Sequence, residues 1–240
     1  METLSVGRSL GEASPDPSWR GLYRAGGISA LLYVVFTFVG PLVLSFITPQ
    51  PPSAGGIATF AGGVATLQYI ASNEAVFILG QVLLMGPSML ALVTFLALYM
   101  ALKHLNKSYA AIGAFGALAS GILTLGSFSI VSGLVSLSGE YAAATTAAQR
   151  TAFTTAAEGL IAVYNAMIIN GILLAIGILI ISLVMLKGVF HKSVAYLGIV
   201  TGIVGIICET FRPVMGYGYA VYLVLYIWLI AVGWKLYRLG

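Results

Sequence analysis

Six long apolar runs dominate this chain, at residues 25 to 48, 75 to 102, 109 to 137, 159 to 186, 193 to 212 and 214 to 234. A helix of about 20 predominantly apolar residues crosses a hydrocarbon core of roughly 30 Å, and every run reaches that length. A soluble fold is excluded by composition: with 60% of residues apolar and 8% charged, too few polar side chains remain to cover a surface facing water. The connections between runs are short or of low complexity, which leaves no room for a second core. The sequence therefore predicts an all-α, polytopic membrane protein: a disordered cytoplasmic tail over residues 1–24, then one domain of six transmembrane helices over residues 25–240. The first run exceeds the roughly 7–15 residues of a secretory signal's apolar region, so it is expected to stay as an anchor.

Basic residues set the expected orientation. When the connections are assigned alternately to two sides, one side collects Arg8, Arg20, Arg24, Lys103, Lys107, Lys187, Lys192, Lys235 and Arg238, and the other only Arg150 and Arg212. Lys and Arg near span ends are retained in the cytoplasm, so both termini and the turns 103–108 and 187–192 are expected inside a cell membrane. Segments 49–74 and 138–158, rich in Ala, Gly and Thr, then face outward, and either can hold a short helix on the membrane. Tyr217, Tyr219 and Tyr222 at one end of the last run, with Trp234 and Tyr237 at the other, suit the two water boundaries.

Self-comparison shows an internal repeat. Glu74, Gln81 and Lys103 recur 84 residues later as Glu158, Asn165 and Lys187, and at an offset of 85 Lys107-Ser108 pairs with Lys192-Ser193, Ala110 with Ala195, and Gly113 with Gly198. Runs two and three, and runs four and five, thus read as tandem copies of one helical hairpin, parallel rather than inverted. Small residues at four-residue spacing, Gly113, Ala117 and Gly121 in one copy and Gly198 and Gly202 in the other, permit close approach of helix backbones.

A carboxylate and an amide seven residues apart share a helix face, so Glu74 with Gln81 and Glu158 with Asn165 each form a polar stripe descending about 10 Å from the outer boundary. Two readings stand for each. The glutamates are either ligand groups or first-turn acids favoured by the helix dipole, with Ser72 or Asn73 as an N-cap. The amides either contact a ligand or make structural hydrogen bonds between helices. Gly86-Pro87 and Gly40-Pro41 are expected to kink their helices.

At the end of the fifth run, "CETFRPVMGYGY" sets Glu209 three residues before Arg212. Arg212 suits a helix C-terminus and Glu209 does not, while Pro213 is expected to end the helix. An inward-facing Glu209 and Arg212 would complete, with the two stripes, a polar pocket open to the outer side. Candidate binding residues are therefore Glu74, Gln81, Glu158, Asn165, Glu209 and Arg212.

No catalytic or cofactor pattern accompanies them. The chain has no His-Glu-x-x-His, no phosphate-cradling glycine loop and no Gly-x-Ser-x-Gly elbow. His104 and His191 lie in the inner turns, and the lone Cys208 cannot build a metal site. The basic residues form no nucleic-acid patch. Residues 23 to 240 resemble a family of small six-helix bacterial and archaeal membrane proteins known as a domain of unknown function. The resemblance rests on "YRAGGISALLY", "SNEAVFILG", "LALYMALKHLNKSYA" and the glycine-rich run after "HKSVAYLG". It implies the topology and no activity, metal or cofactor. The expected role is non-enzymatic: binding or passage of a small polar or cationic solute through the outer cleft, or, alternatively, an accessory or assembly subunit. Expected partners are membrane lipids and other membrane subunits or a second copy.

Overall fold

A computed structural model describes residues 16–47, 60, 62–166, 169–188, 190–215 and 219–240. Nine α-helices run through them: α1 (Arg20–Ile47), α2 (Gly63–Met85), α3 (Ser88–Leu102), α4 (Lys107–Gly126), α5 (Phe128–Ala143), α6 (Ala147–Asn165), α7 (Ile169–Met185), α8 (Lys192–Met215) and α9 (Tyr219–Leu239). No strand occurs among the described residues. The chain is an all-α protein, as its apolar runs require.

Local chemistry explains several boundaries. A short 3-10 turn, Pro17–Trp19, precedes α1, and the Asp16 carboxylate accepts the Ser18 N–H at 2.9 Å. Helix α1 starts at Arg20, five residues before the first apolar run, and continues through Gly40-Pro41. Asn106 caps α4 by accepting the Tyr109 N–H at 3.1 Å. At α6 the Thr146 hydroxyl accepts the Gln149 N–H and the Gln149 side chain accepts the Thr146 N–H, each at 3.2 Å, a reciprocal capping box. That box makes most of the expected outer segment 138–158 helical, leaving only residues 144–146 between α5 and α6.

Three of the apolar runs are each two helices joined by a break. Gly86-Pro87 separates α2 from α3, because Pro87 cannot donate the hydrogen bond that would continue the helix. Ser127 separates α4 from α5 directly after Gly126, a Gly-Ser pair of the kind that permits a kink, and α6 ends at Asn165 while α7 begins at Ile169. Helix α2 is broken again at Asn73 (φ −141°, ψ 36°), whose side-chain amide donates to the Tyr69 carbonyl at 3.1 Å. Asn73 therefore closes the helix before it, whereas the sequence suggested an N-cap for the one after.

These breaks divide the molecule into two layers. Helices α1, α3, α4, α7, α8 and α9 pack into one bundle around Phe95, Leu98, Ile178, Ile181 and Trp228. Helices α2, α5 and α6 form a second layer around Leu67, Ile70, Phe77, Leu134 and Ile161. Five helical stretches of the described residues are long and apolar enough to cross a membrane: Pro17–Gly40, Gly63–Leu102, Lys107–Ala143, Ala147–Met185 and Lys192–Phe211. Helix α9 lies along α1 and α8 in the same bundle.

Glycines permit the closest contacts. A Cβ at Gly27 would lie 2.6 Å from the Gly233 carbonyl and the Tyr237 nitrogen of α9, and one at Gly26 would overlap Ala97 of α3. The "AGG" of the first run is thus the point where α1 is held between two helices, and the Thr94 hydroxyl adds a 3.1 Å bond to the Gly26 carbonyl. Gly113 of α4 meets Gly177 and Ile181 of α7, and Gly202 of α8 meets Ala175 and Leu179 of α7. The small-residue stripes seen in sequence are therefore covered by helices of the same chain.

Candidate functional site

The second polar stripe lies on α6 and faces the chain that enters α2. The Asn165 amide pairs with one residue's backbone in both directions: its Oδ1 accepts the Phe60 N–H and its Nδ2 donates to the Phe60 carbonyl, each at 3.2 Å. Two turns earlier, Glu158 Oε1 accepts the Gly63 N–H at 2.5 Å. Between these anchors Gly62 has a φ of +63°, a left-handed conformation that favours glycine. A Cβ at Gly63 would lie 2.8 Å from the Thr154 carbonyl, so glycine also allows the approach.

Aromatic packing completes this latch. The Phe60 ring lies 4.8 Å from that of Tyr164 and 5.9 Å from that of Phe77, centroid to centroid. The Tyr164 hydroxyl reaches the side-chain oxygen of Gln81 at 3.5 Å, which brings the amide of the first stripe to the edge of the same cluster. Gln81 is buried. Glu74, its partner in that stripe, is exposed, just past the break at Asn73.

Glu209 belongs to a separate place. Its side chain packs against Gly171 in α7, where an added Cβ would come within 2.6 Å of Oε1. Asn170 is the neighbouring residue, and its buried side-chain oxygen has no hydrogen-bond partner. Arg212 lies in α8, with its side chain outside the described residues. Helix α8 itself continues past Pro213 to Met215, two residues beyond the expected stop.

The structure thus brings Glu158, Asn165 and, through Tyr164, Gln81 together, and leaves Glu74 and Glu209 apart from them. Phe60, Gly62, Gly63 and Tyr164 complete the cluster and were not singled out in the sequence. Only the adjacent glycines gave a signal, since paired glycines mark turns and close approaches. Phe60 contributes mainly backbone groups, which no side-chain pattern reports.

Among the described residues no group of three His, Cys, Asp or Glu is placed to hold a metal ion. His191 and His104 are exposed, and the His191 Nδ1 lies 3.0 Å from the Ser193 hydroxyl, closing the first turn of α8. Cys208 is a free thiol.

Stacked apolar helices of membrane-crossing length, with polar side chains turned onto the chain's own backbone, define a multi-pass helical membrane protein. Residues 25–233 match the family described as Domain of unknown function (DUF4386), and the chain belongs to that family. No curated protein and no solved structure matches the chain.

Proposed function

We propose that this chain is a non-enzymatic assembly or accessory subunit of the cell membrane, with six spans, both termini cytoplasmic, and the α2–α5–α6 layer offered to a partner on the outer side. One observation carries this reading: Glu158 and Asn165, the best placed of the candidate ligand groups, are both occupied by the backbone of residues 60–63. Side chains bonded to their own chain make a fixed surface and do not line an open cleft.

Helix lengths support the outer placement. The stretches Gly63–Leu102, Lys107–Ala143 and Ala147–Met185 contain 40, 37 and 39 residues. At 1.5 Å per residue their contour lengths come to about 55–60 Å before the bends at their breaks, against roughly 40–45 Å for a bilayer with its headgroups. Their basic inner turns fix one end at the membrane surface, so the far end of the layer reaches water. The tandem hairpin fits the same picture, because α4 begins at Lys107 and α8 at Lys192, each after a side-chain cap, Asn106 and His191, 85 positions apart.

Affinity purification from native membranes tests the proposal. The intact chain should bring down a stoichiometric membrane partner, and the Glu158→Ala/Asn165→Ala double variant, still folded in its bundle, should lose it. A chain that purifies alone under gentle conditions from its own membranes defeats the proposal.

The solute reading keeps one foothold, the unbonded oxygen of Asn170, the residue before the Gly171 against which Glu209 packs. An unbonded amide oxygen would favour an ammonium or another hydrogen-bond donor. Under that reading Asn170→Leu abolishes solute-dependent stabilisation and leaves partner capture untouched.

A further inference from the structure

We infer that the two inner turns together form a binding surface for the headgroup of an anionic phospholipid of the surrounding bilayer. The turns touch: a Cβ at Gly188 would overlap the Leu105 side chain, so Gly188 lets the α7–α8 turn close onto the α3–α4 turn. Both turns are seated on the bundle, Phe190 buried in its core and Leu105 packed against it. What they leave on the surface is basic. Lys107, Lys187 and Lys192 are exposed together with His104 and His191, and Lys103 is half-buried.

Nothing in either turn neutralises them. Residues 103–108 (KHLNKS) and 187–192 (KGVFHK) contain no Asp or Glu. Asp16 lies near enough to Lys103 for the two charges to act on each other, whereas Lys107, Lys187 and Lys192 have no ion pair among the described residues. Lys103 lies over the Trp19 ring, 5.4 Å from its centroid, and an indole at a span end marks the headgroup level of a membrane. Three lysines with no acid beside them, joined by Lys103 and held at that level, complement a layer of phosphodiesters, and basic pockets between helices at the membrane surface recognise such headgroups. The inference requires only that the bundle spans a bilayer, and it stands apart from the assembly and solute readings.

The test is thermal unfolding of the full-length chain in a neutral detergent, titrated with phosphatidylglycerol, with phosphatidylcholine of the same acyl chains, or with inorganic phosphate. Phosphatidylglycerol should raise the midpoint in a saturable, salt-sensitive way, and the other two should not. Replacing Lys107, Lys187 and Lys192 by Gln should weaken the apparent affinity on the order of 100-fold, while Arg at the same positions preserves it. Because these lysines also orient the chain in the membrane, each single Lys→Gln variant is measured too, with an expected loss of roughly fivefold apiece. Equal responses to the two lipids, or Gln variants that respond like the parent, overturn the inference. An equal response to free phosphate overturns the lipid as occupant.

Discussion

Gly27 and Gly159 both sit inside helices, yet alanine at each is expected to act in opposite directions. A methyl at position 27 meets backbone atoms of Gly233 and Tyr237 at 2.6 Å, and neither can rotate away. Gly27→Ala should destabilise the bundle by about 1–3 kcal/mol, the usual range for overpacking. Gly159 has nothing within 4 Å of an added Cβ. There Gly159→Ala only removes backbone freedom and should stabilise by about 0.5–1 kcal/mol. Chemical unfolding of both variants in one detergent checks the pair, and a common sign would show that packing does not govern these sites. Titration gives a second residue-scale test at Asp16, whose carboxyl is held below its ordinary value, chiefly by the Ser18 N–H. A depressed carboxyl contributes stability above its unfolded pKa and loses it as pH falls through the folded one. The turn before α1 should therefore loosen below about pH 4, read from Trp19 fluorescence, and Asp16→Asn should show no such transition.

The latch between α6 and the entry to α2 works at the scale of elements. Asn165→Ala removes two hydrogen bonds to Phe60, each a net contribution of about 0.5–1.5 kcal/mol. Glu158→Gln keeps an acceptor for Gly63 but weakens a charge-assisted bond. Amide exchange over residues 62–72 should speed markedly in Asn165→Ala, modestly in Glu158→Gln, and stay unchanged in α7 and α8. Uniform exchange across all helices would mean that the two layers unfold as one unit. The same latch marks what the sequence could tell. The offset of 84 found Glu158 and Asn165, because polar residues stand out in apolar helices. It could not find their partners, since those are backbone groups beside two glycines in a segment of low complexity. The apolar runs and both basic turns were legible for a related reason, hydrophobicity and charge being properties of side chains. The break at Ser127 was not read, because its signal, the Gly126-Ser127 pair, is weaker than a proline and small residues are common throughout these helices.

At the scale of the whole molecule, the decisive quantity is height above the membrane. If the Lys107 end of α4 sits at the inner surface, a 30 Å hydrocarbon core is crossed in about 20 residues, near the break between α4 and α5. Helix α5 and the first half of α6 then stand in the headgroups or in water, which suits the exposed Ser132, Ser136, Thr151 and Thr155. Exposed side chains of the bundle have a different character: Ile112, Phe115, Ile122, Val200 and Ile203 form the apolar coat expected toward lipid. Single cysteines in a Cys208→Ala background separate the two kinds of exposure. Cysteine at Ser136 or Thr155 should react with a membrane-impermeant thiol reagent added to intact cells, and cysteine at Ile122 or Val200 should not. Reaction at Lys107→Cys only after the membrane is permeabilised would place the basic turns inside. Should Thr155→Cys resist the reagent while Lys107→Cys accepts it from outside, the molecule is inverted, and its layer of three helices faces the cytoplasm.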